Sequence, residues 1–486
     1  LFPVLSPLEA PRGPSRVDRS FRYRPSHGSN FGALRRKFLW CLVVASSPYF
    51  RCKQFERLRY YLPSSFRFNV VSAVTAADAS SYCTSFTIPT PCQYRLHPSE
   101  LPPNFLSSED DNGNNKNSNE LLYHAVHAVR RACAATILLA HDRKMDKADK
   151  TVVTAADYAS QAIVLGMLHK HCGNIVNSYI AEESSGEISA SEERDVLQSI
   201  VQAVGTAWPD FFDSQEMEAE EAAEAVCQAI DLGTTSREYY DDRPYWVVDP
   251  IDGTDGFVSG GQYCVALALI QNGDVQLGVL GCPRLPYDNS DHSETDGNSR
   301  HESNMKTGFV IVAAKGRGCY ILPLSYDAHD PTGPRLLRIN LPISLSGKGG
   351  NGIPLRICTG ARSSRVDPYG LIDGALNRLS PKYNTSVLKT TSQCKYAMIA
   401  TSQCHAFLKL PREDYAERSW DHAAGWLIVR EAGGIVSDGR GNQNLTLSSN
   451  GKAISTGLWG VLASCGEKVH NDILWALSCE VKQESG

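Results

Sequence analysis

The sequence predicts an α/β protein in two parts, and three observations carry that prediction. From Leu121, small and apolar residues recur at helical spacing (Leu122, Ala125, Val126, Val129, Ala132, Cys133, Thr136), marking an amphipathic helix to about His141. Between Tyr245 and Ile321, short apolar runs alternate with tight turns such as Asn272-Gly273-Asp274, the signature of consecutive strands. Beyond Pro342, helix and strand patterns alternate one for one. Residues 119–341 are therefore expected to form an α+β part and residues 342–486 an α/β part, behind a segment 1–118 of different character.

The elements follow in order. Asp157 to about His171 reads as a second helix, and Val176–Ala181 as a strand running into the adjacent acids Glu182-Glu183. Gln215–Ile230 is an acidic helix. Tyr245–Asp249 is a strand that ends on a carboxylate, with Pro250 expected to stop further pairing. Strands follow at Cys264–Gln271, Val275–Leu280, Gly308–Ala314 and Gly318–Ile321, with 286–306 reading as a polar surface insertion. The second part holds a strand Leu355–Cys358, helices Tyr369–Leu379 and Lys395–Thr401, a strand Ala406–Lys409, a helix His422–Ala432 and a strand Gly434–Ser437.

Composition excludes several classes. Charged residues make up 21% and hydrophobic residues 42% of the 486, so the chain can bury a large core and is neither disordered nor collagenous. No run of 18 apolar residues exists, so no membrane-spanning helix is expected. Residues 1–60 carry 10 Arg and 2 Lys against 3 acids, leaving 36 bases against 50 acids in the remainder. An acidic body argues against a nucleic-acid partner and suits cations held on carboxylates. The Arg- and Ser-rich, acid-poor beginning has the composition of an organelle transit peptide, which predicts delivery to a plastid or mitochondrion, and a cytoplasmic protein if that leader is not genuine. Glu109–Glu120 reads as a polar linker. Fifteen Cys are scattered without a CxxC pair and read as small buried hydrophobes.

The residues that carry chemistry are carboxylates at element ends. In Trp246-Val-Val-Asp249-Pro-Ile-Asp252-Gly-Thr254, a hydrophobic strand delivers Asp249, Asp252 returns three residues later, and Gly253 permits a tight turn that presents the Thr254 hydroxyl. Two carboxylates and a hydroxyl so placed can bracket hard cations, and Mg²⁺ asks for oxygen ligands with positions left for water and phosphate. The competing reading is a polar turn with a capping Asp. Ala181-Glu-Glu-Ser184 adds acids at a strand end, and Val153-Thr-Ala-Ala-Asp157 adds one at a helix start, where N-capping is the alternative role. Trp420-Asp421-His-Ala-Ala-Gly425 adds another at a helix N-terminus ahead of small residues that let the helix pack closely. Clustered His124/His127 and His169/His171/Cys172 are set aside, since hard-cation chemistry does not call for imidazole. Gly347-Lys-Gly-Gly-Asn-Gly352 lacks the Walker spacing and reads as a linker.

These four loci, followed by Glu431-Ala-Gly-Gly434, resemble the lithium-sensitive, magnesium-dependent phosphatases of the inositol monophosphatase superfamily. Within it, Gly261–Ile270, Leu277–Pro283 and Ser392-Gln-Cys-Lys-Tyr396 leading to Leu408-Lys-Leu-Pro411 are most similar to the 3′(2′),5′-bisphosphate nucleotidases. The resemblance covers about Leu121–Cys479 and implies a layered αβαβα sandwich of two subdomains with the active site between them. It also implies a monomeric hydrolase in sulfur metabolism that converts adenosine 3′,5′-bisphosphate (PAP) to AMP, with two or three Mg²⁺ ions. An inositol phosphate phosphatase or a dead PAP-binding protein are the rival readings. The family pattern makes Glu182, Asp249, Asp252, Asp421 and the Ile251 carbonyl the metal ligands, and Asp157 and Thr254 the pair that orients and deprotonates the attacking water. Thr254, Arg362, Ser392, Lys395, Lys409 and Asp421 are the implied substrate contacts. Lys409 stands where these nucleotidases use Arg, Arg362 where some use His, and Asp255 where Lys is usual, which puts substrate range in question more than catalysis.

Overall fold

The strand that delivers Asp249 does not stop at Pro250. It runs Tyr245–Asp252, losing register after Asp249 pairs with Ala266 and resuming where Asp252 pairs with Cys264. Pro250 removes one ladder donor, and the chain absorbs this as an irregularity rather than an end. The strand is the second of seven in one twisted sheet, whose spatial order is Tyr179–Ala181, Tyr245–Asp252, Cys264–Gln271, Asp274–Asp288, Met305–Ala314, Gly318–Pro323 and Arg335–Leu337. The first pair is parallel and every later one antiparallel. In this computed structural model the described residues are 114–140, 144–146, 152–188, 194–212, 217–234, 243–288, 305–325, 335–337, 355–360, 367, 369–411, 417–444, 453–454 and 460–484, all within one compact unit. The proposed leader up to residue 113, most of the 286–306 insertion, the 341/342 boundary, the Gly347–Gly352 run and Arg362 lie outside them.

A central strand with both faces buried must be apolar on both, and Tyr245–Val248 is. Trp246 and Val248 join one core with the helices Asn114–Leu138 and Ala155–Cys172, while Tyr245 and Val247 join the other. On the first side, Arg194–Ala207 and Ala219–Asp231 complete a helical layer, each burying one apolar stripe. On the second side, helices Cys394–Ala400 and Ala423–Glu431 separate this sheet from a five-stranded one. That sheet is ordered Thr385–Thr390, Leu355–Gly360, Ala406–Lys409, Val461–Ser464 and Ile435–Ser437, parallel over its first two pairings and antiparallel thereafter. Leu371–Leu379 and Glu467–Glu484 pack together as the last helical layer. The stack is αβαβα, as the sequence resemblance implied.

Several boundaries differ from the sequence reading. The first helix starts at Asn114, so part of the polar stretch before Leu121 is helical and solvated rather than linker. The helix Arg194–Ala207, the strand Thr385–Thr390 and the last strand and helix, Val461–Ser464 and Glu467–Glu484, were not foreseen. All eleven cysteines among the described residues are unpaired, and nine of them are buried. No described helix is long and apolar enough to cross a membrane.

The small residues after Asp421 do what their size suggested. A Cβ on Gly425 would sit 2.2 Å from the Tyr396 ring, and one on Gly278 would sit 2.8 Å from the Ala424 carbonyl oxygen. The helix Ala423–Glu431 therefore lies almost backbone-on-sheet, and that closeness fixes where Asp421 stands. Gly425→Ala should destabilise the protein by about 1–3 kcal/mol through overpacking. Urea unfolding that gives an unchanged midpoint and slope would show the contact to be loose.

Candidate active site

Asp249 is 2% exposed, and its Oδ1 is buried with no hydrogen-bond partner. Its neighbours deepen the problem. Burial raises its pKa well above the ordinary carboxylate range, and Glu182, Asp252, Asp421 and Asp157 raise it further by repulsion, in that order. Asp252 is pushed up to about 7, first by burial and then by Asp421, with Lys395 and the Gln393 amide acting in the opposite direction. Asp421 is raised by burial, against the pull of Lys409 and His422. Five carboxylates from four segments thus meet at one point. Without a cation they disfavour one another, which is the condition expected of a metal site.

Each acid is held by its backbone. Asp157 is the third residue of its helix and completes a capping box, its Oδ2 accepting from both the amide and the hydroxyl of Thr154 at 2.8 Å. The capping role foreseen for it is therefore real, and it leaves Oδ1 toward Thr254, whose hydroxyl lies 3.5 Å away and also donates to the Ile251 carbonyl at 3.2 Å. Ser160, one turn further along the same helix, donates to the Pro250 carbonyl at 2.7 Å and ties down the Asp249–Asp252 turn. Gly253 sits at φ 93°, a left-handed position that favours glycine, and a side chain there would meet Ser392 at 2.9 Å. Glu182 is exposed at the end of its strand, while Glu183 is buried with its amide donating to the Gln161 side chain at 3.0 Å.

The implied substrate residues Ser392, Lys395 and Lys409 lie beside the acid cluster. Ser392 takes a left-handed backbone (φ 68°), and its hydroxyl accepts from the Cys394 amide. Lys395 is buried, donates to the Ser392 carbonyl at 2.5 Å and lies over the Phe407 ring. Burial lowers its pKa, Asp252 opposes this, and nearby Lys409 lowers it again. Lys409 donates to Glu417 at 2.7 Å. Glu417 is 1% exposed and also meets His422 Nε2 at 2.8 Å, while His422 Nδ1 meets the Tyr396 hydroxyl at 2.7 Å. Burial works to raise the Glu417 carboxyl, but Lys409 and His422 hold it down at about 2. Among the described residues, Glu417, Asp421 and His422 also form a group whose ligand atoms lie within 4.8 Å of one another. Both ring nitrogens of His422 are engaged and Lys409 already supplies the positive charge, so we read that group as an ion-pair network bordering the acid cluster. Asp255 is exposed on the first turn of the short helix Thr254–Val258.

All the acids chosen from sequence are brought together, as are Thr254, Ser392, Lys395 and Lys409. Sequence reading missed Glu417, Gln393, Gln161 and Ser160. Of these, Ser160 and Gln161 stood one helical turn from the candidate Asp157, and Gln393 beside the candidate Ser392.

A family model described as the inositol monophosphatase family matches residues 117–474. The chain belongs to that family. The chain is accordingly read as a hydrolase of phosphoric monoesters. A Dictyostelium discoideum protein named 3′(2′),5′-bisphosphate nucleotidase is 32% identical over 360 residues, covering 72% of this chain and 94% of that one. An Arabidopsis thaliana protein named probable 3′(2′),5′-bisphosphate nucleotidase 4 is 31% identical over 298 residues, covering 61% of this chain and 76% of its own. Among solved structures, the extragenic suppressor protein suhB of Bartonella henselae aligns with a TM-score of 0.43 at 19% identity, over 74% of this chain and 98% of that one.

The electrostatics of the family member's site predict a pH signature. An acid whose folded pKa is raised from 3.8 to about 7 adds stability while protonated and loses it as pH climbs through that range. In chelator-treated protein, the Tm advantage of Asp252→Asn over wild type should therefore grow between about pH 4 and pH 7 and then level off. Buried histidines such as His470, held down to about 4 by burial, titrate in the same window with the opposite sign, but they cancel in the difference between the two proteins. A difference that does not vary with pH would show that Asp252 is not in a crowded anionic site.

Proposed function

We propose that this phosphatase hydrolyses the 3′-phosphate of PAP to give AMP in a Mg²⁺-dependent reaction, with its 5′-phosphosulfate analogue as a related substrate in sulfur metabolism. The observation that carries the reading is charge of both signs at one place: Lys395 and Lys409 are close enough to depress Lys395, and they border Asp252 and Asp421. A substrate with two phosphates needs one pole for the reacting phosphate and a cationic pole for the other. The names of the relatives point the same way.

The residues present fit Mg²⁺. The donor set is oxygen only, and the orphaned Asp249 Oδ1 lacks the partner a cation would supply. Glu182, Asp249 and the Ile251 carbonyl would hold one ion, and Asp249, Asp252 and Asp421 a second. When bound, such ions neutralise charge on the phosphate and its leaving oxygen. The protein's own contribution is the proton path. Thr254 takes a proton from the attacking water as it passes its own hydroxyl proton to Asp157, whose other oxygen stays fixed by Thr154. No Cys, His or Ser nucleophile is required.

One observation favours a second reading. Lys409 is already paired with Glu417, which suits an inositol monophosphate that has no second phosphate to meet. A phosphate-release panel of PAP, its phosphosulfate analogue, inositol 1-phosphate and inositol 1,4-bisphosphate separates the two. A preference for inositol 1-phosphate over PAP would overturn the nucleotidase reading.

Two substitutions sharpen this. Asp249→Asn should abolish Mg²⁺-dependent turnover while circular dichroism shows a wild-type fold, since the shared ligand loses its charge. Retained turnover would displace Asp249 from the site. Lys409→Ala should lower kcat/KM for PAP more than for inositol 1-phosphate. A charge-assisted contact is worth about 1.5–3 kcal/mol, so the ratio should move roughly ten- to a hundredfold at about 1.4 kcal/mol per decade. An equal loss on both substrates would make Lys409 structural.

A further inference from the structure

Asp252 and Asp421 come from adjoining layers, the seven-stranded sheet and the helix packed on it, and repel each other, yet the fold holds them together. Gln393 accounts for this. It is 1% exposed; its carbonyl accepts from the Tyr396 and Ala397 amides of its own helix, and its other three hydrogen bonds run to the two acid-bearing segments. Its main-chain amide donates to Asp252 Oδ2 at 2.6 Å. Its side-chain Nε2 donates to the Trp420 carbonyl at 2.7 Å, and its Oε1 accepts from the Gly425 amide at 3.0 Å. The carboxamide therefore straddles the Asp421 turn, bonding to the residue before it and to the first turn of the helix after it, while the backbone of the same residue grips Asp252.

The surroundings fix Gln393 in turn. Ser392 adopts φ 68°, which is costly for a residue with a side chain, and this directly precedes the amide that meets Asp252. Thr391 donates to the Gln262 carbonyl at 2.5 Å. A Cβ on Gly256 would lie 2.1 Å from that same carbonyl and 2.3 Å from the Thr391 hydroxyl, so the Asp252 turn and the 391–393 loop are packed without room to slide.

We infer that Gln393 is a positioning residue that sets the spacing of Asp252 and Asp421 for the second cation. The inference rests on the metal-dependent reading above. A neutral amide suits the task, because it holds two anions in place without neutralising either, leaving their charge for the ion. Outer-shell hydrogen bonds of this kind typically govern metal affinity by a factor of about 10–100.

The test uses the full chain, stripped with chelator and titrated with MgCl₂ while the thermal midpoint is followed. Gln393→Leu keeps the volume and removes both side-chain bonds. Gln393→Asn keeps the amide one methylene short and serves if the first variant does not fold. Wild type should show a saturable Mg²⁺-dependent rise in Tm, and in the variants the concentration for half of that rise should increase on the order of tenfold. The Mg²⁺ concentration for half-maximal phosphate release should shift in parallel. A folded variant with a lower Tm but an unchanged half-rise concentration would make Gln393 a strut of the fold and overturn the inference. A wild-type protein whose Tm ignores Mg²⁺ would instead overturn the metal reading beneath it.

Discussion

Mutual repulsion among the carboxylates around the buried Asp249 is the constraint to which the rest of the structure responds. Coulomb repulsion between two unit charges 4 Å apart is about 4 kcal/mol at an effective dielectric of 20, so a cluster of several acids cannot persist on favourable side-chain contacts alone. The fold answers with backbone rigidity and neutral donors. Ser160 ties the Pro250 carbonyl, Gln161 ties the Glu183 amide, Thr154 brackets Asp157 and Gln393 spans Asp252 and the Asp421 turn. None of these groups carries a charge that would satisfy the acids permanently. The cost of assembling the site is met by the hydrophobic layers, and the electrostatic deficit remains available to a cation.

Those layers explain how distant segments reach one point. The seven-stranded sheet is buried on both faces, so its central strands belong to two cores at once, with Trp246 facing one and Tyr245 the other. The helix Ala155–Cys172 rests on the first face and brings Asp157, while the helix Ala423–Glu431 rests on the second and follows Asp421. A strand end flanked by two helix N-termini is thereby surrounded. The glycines at 278 and 425 let the second helix come near enough.

The acid constellation was legible in the sequence because each member sits at an element end or, for Asp249, at the break in strand register, where apolar periodicity gives way to Asp or Glu. The glycine at 253 and the small residues after Asp421 were legible for the same kind of reason, since only small residues allow close approach. What the sequence concealed was polar and interior. Glu417 lies in Arg-Glu-Asp-Tyr-Ala-Glu-Arg, which reads as solvated charge, yet it is 1% exposed and paired with Lys409, eight residues before it, and His422, five after it. Gln393 and Gln161 carry no periodic or charge signal, and their partners are backbone atoms. The strand Thr385–Thr390 alternates no apolar face, being exposed over most of its length at a sheet edge. Pro250 misled because a proline forbids one hydrogen bond, whereas a strand can lose one and resume.

The pairing of Lys409 with Glu417 bears on which phosphates the site can accept, and magnitudes decide it. Lys409 donates to Glu417, and what matters is how far that anion offsets the attraction of the ammonium for a phosphate. A phosphate oxygen approaching from the far side would lie about 3 Å from the ammonium and about twice that from the Glu417 carboxylate. At an effective dielectric of 20 the attraction is then roughly 5–6 kcal/mol per unit charge and the repulsion about half as large. Glu417 therefore weakens Lys409 as a phosphate ligand without cancelling it. In exchange it removes much of the entropy cost of ordering a long, flexible side chain, which is up to about 2 kcal/mol for a lysine. Because Glu417 is itself held ionised by His422 as well as Lys409, its charge does not vary with pH in the physiological range. Under the proposed nucleotidase reading, the result would be a weakened but pre-positioned cation for the second phosphate.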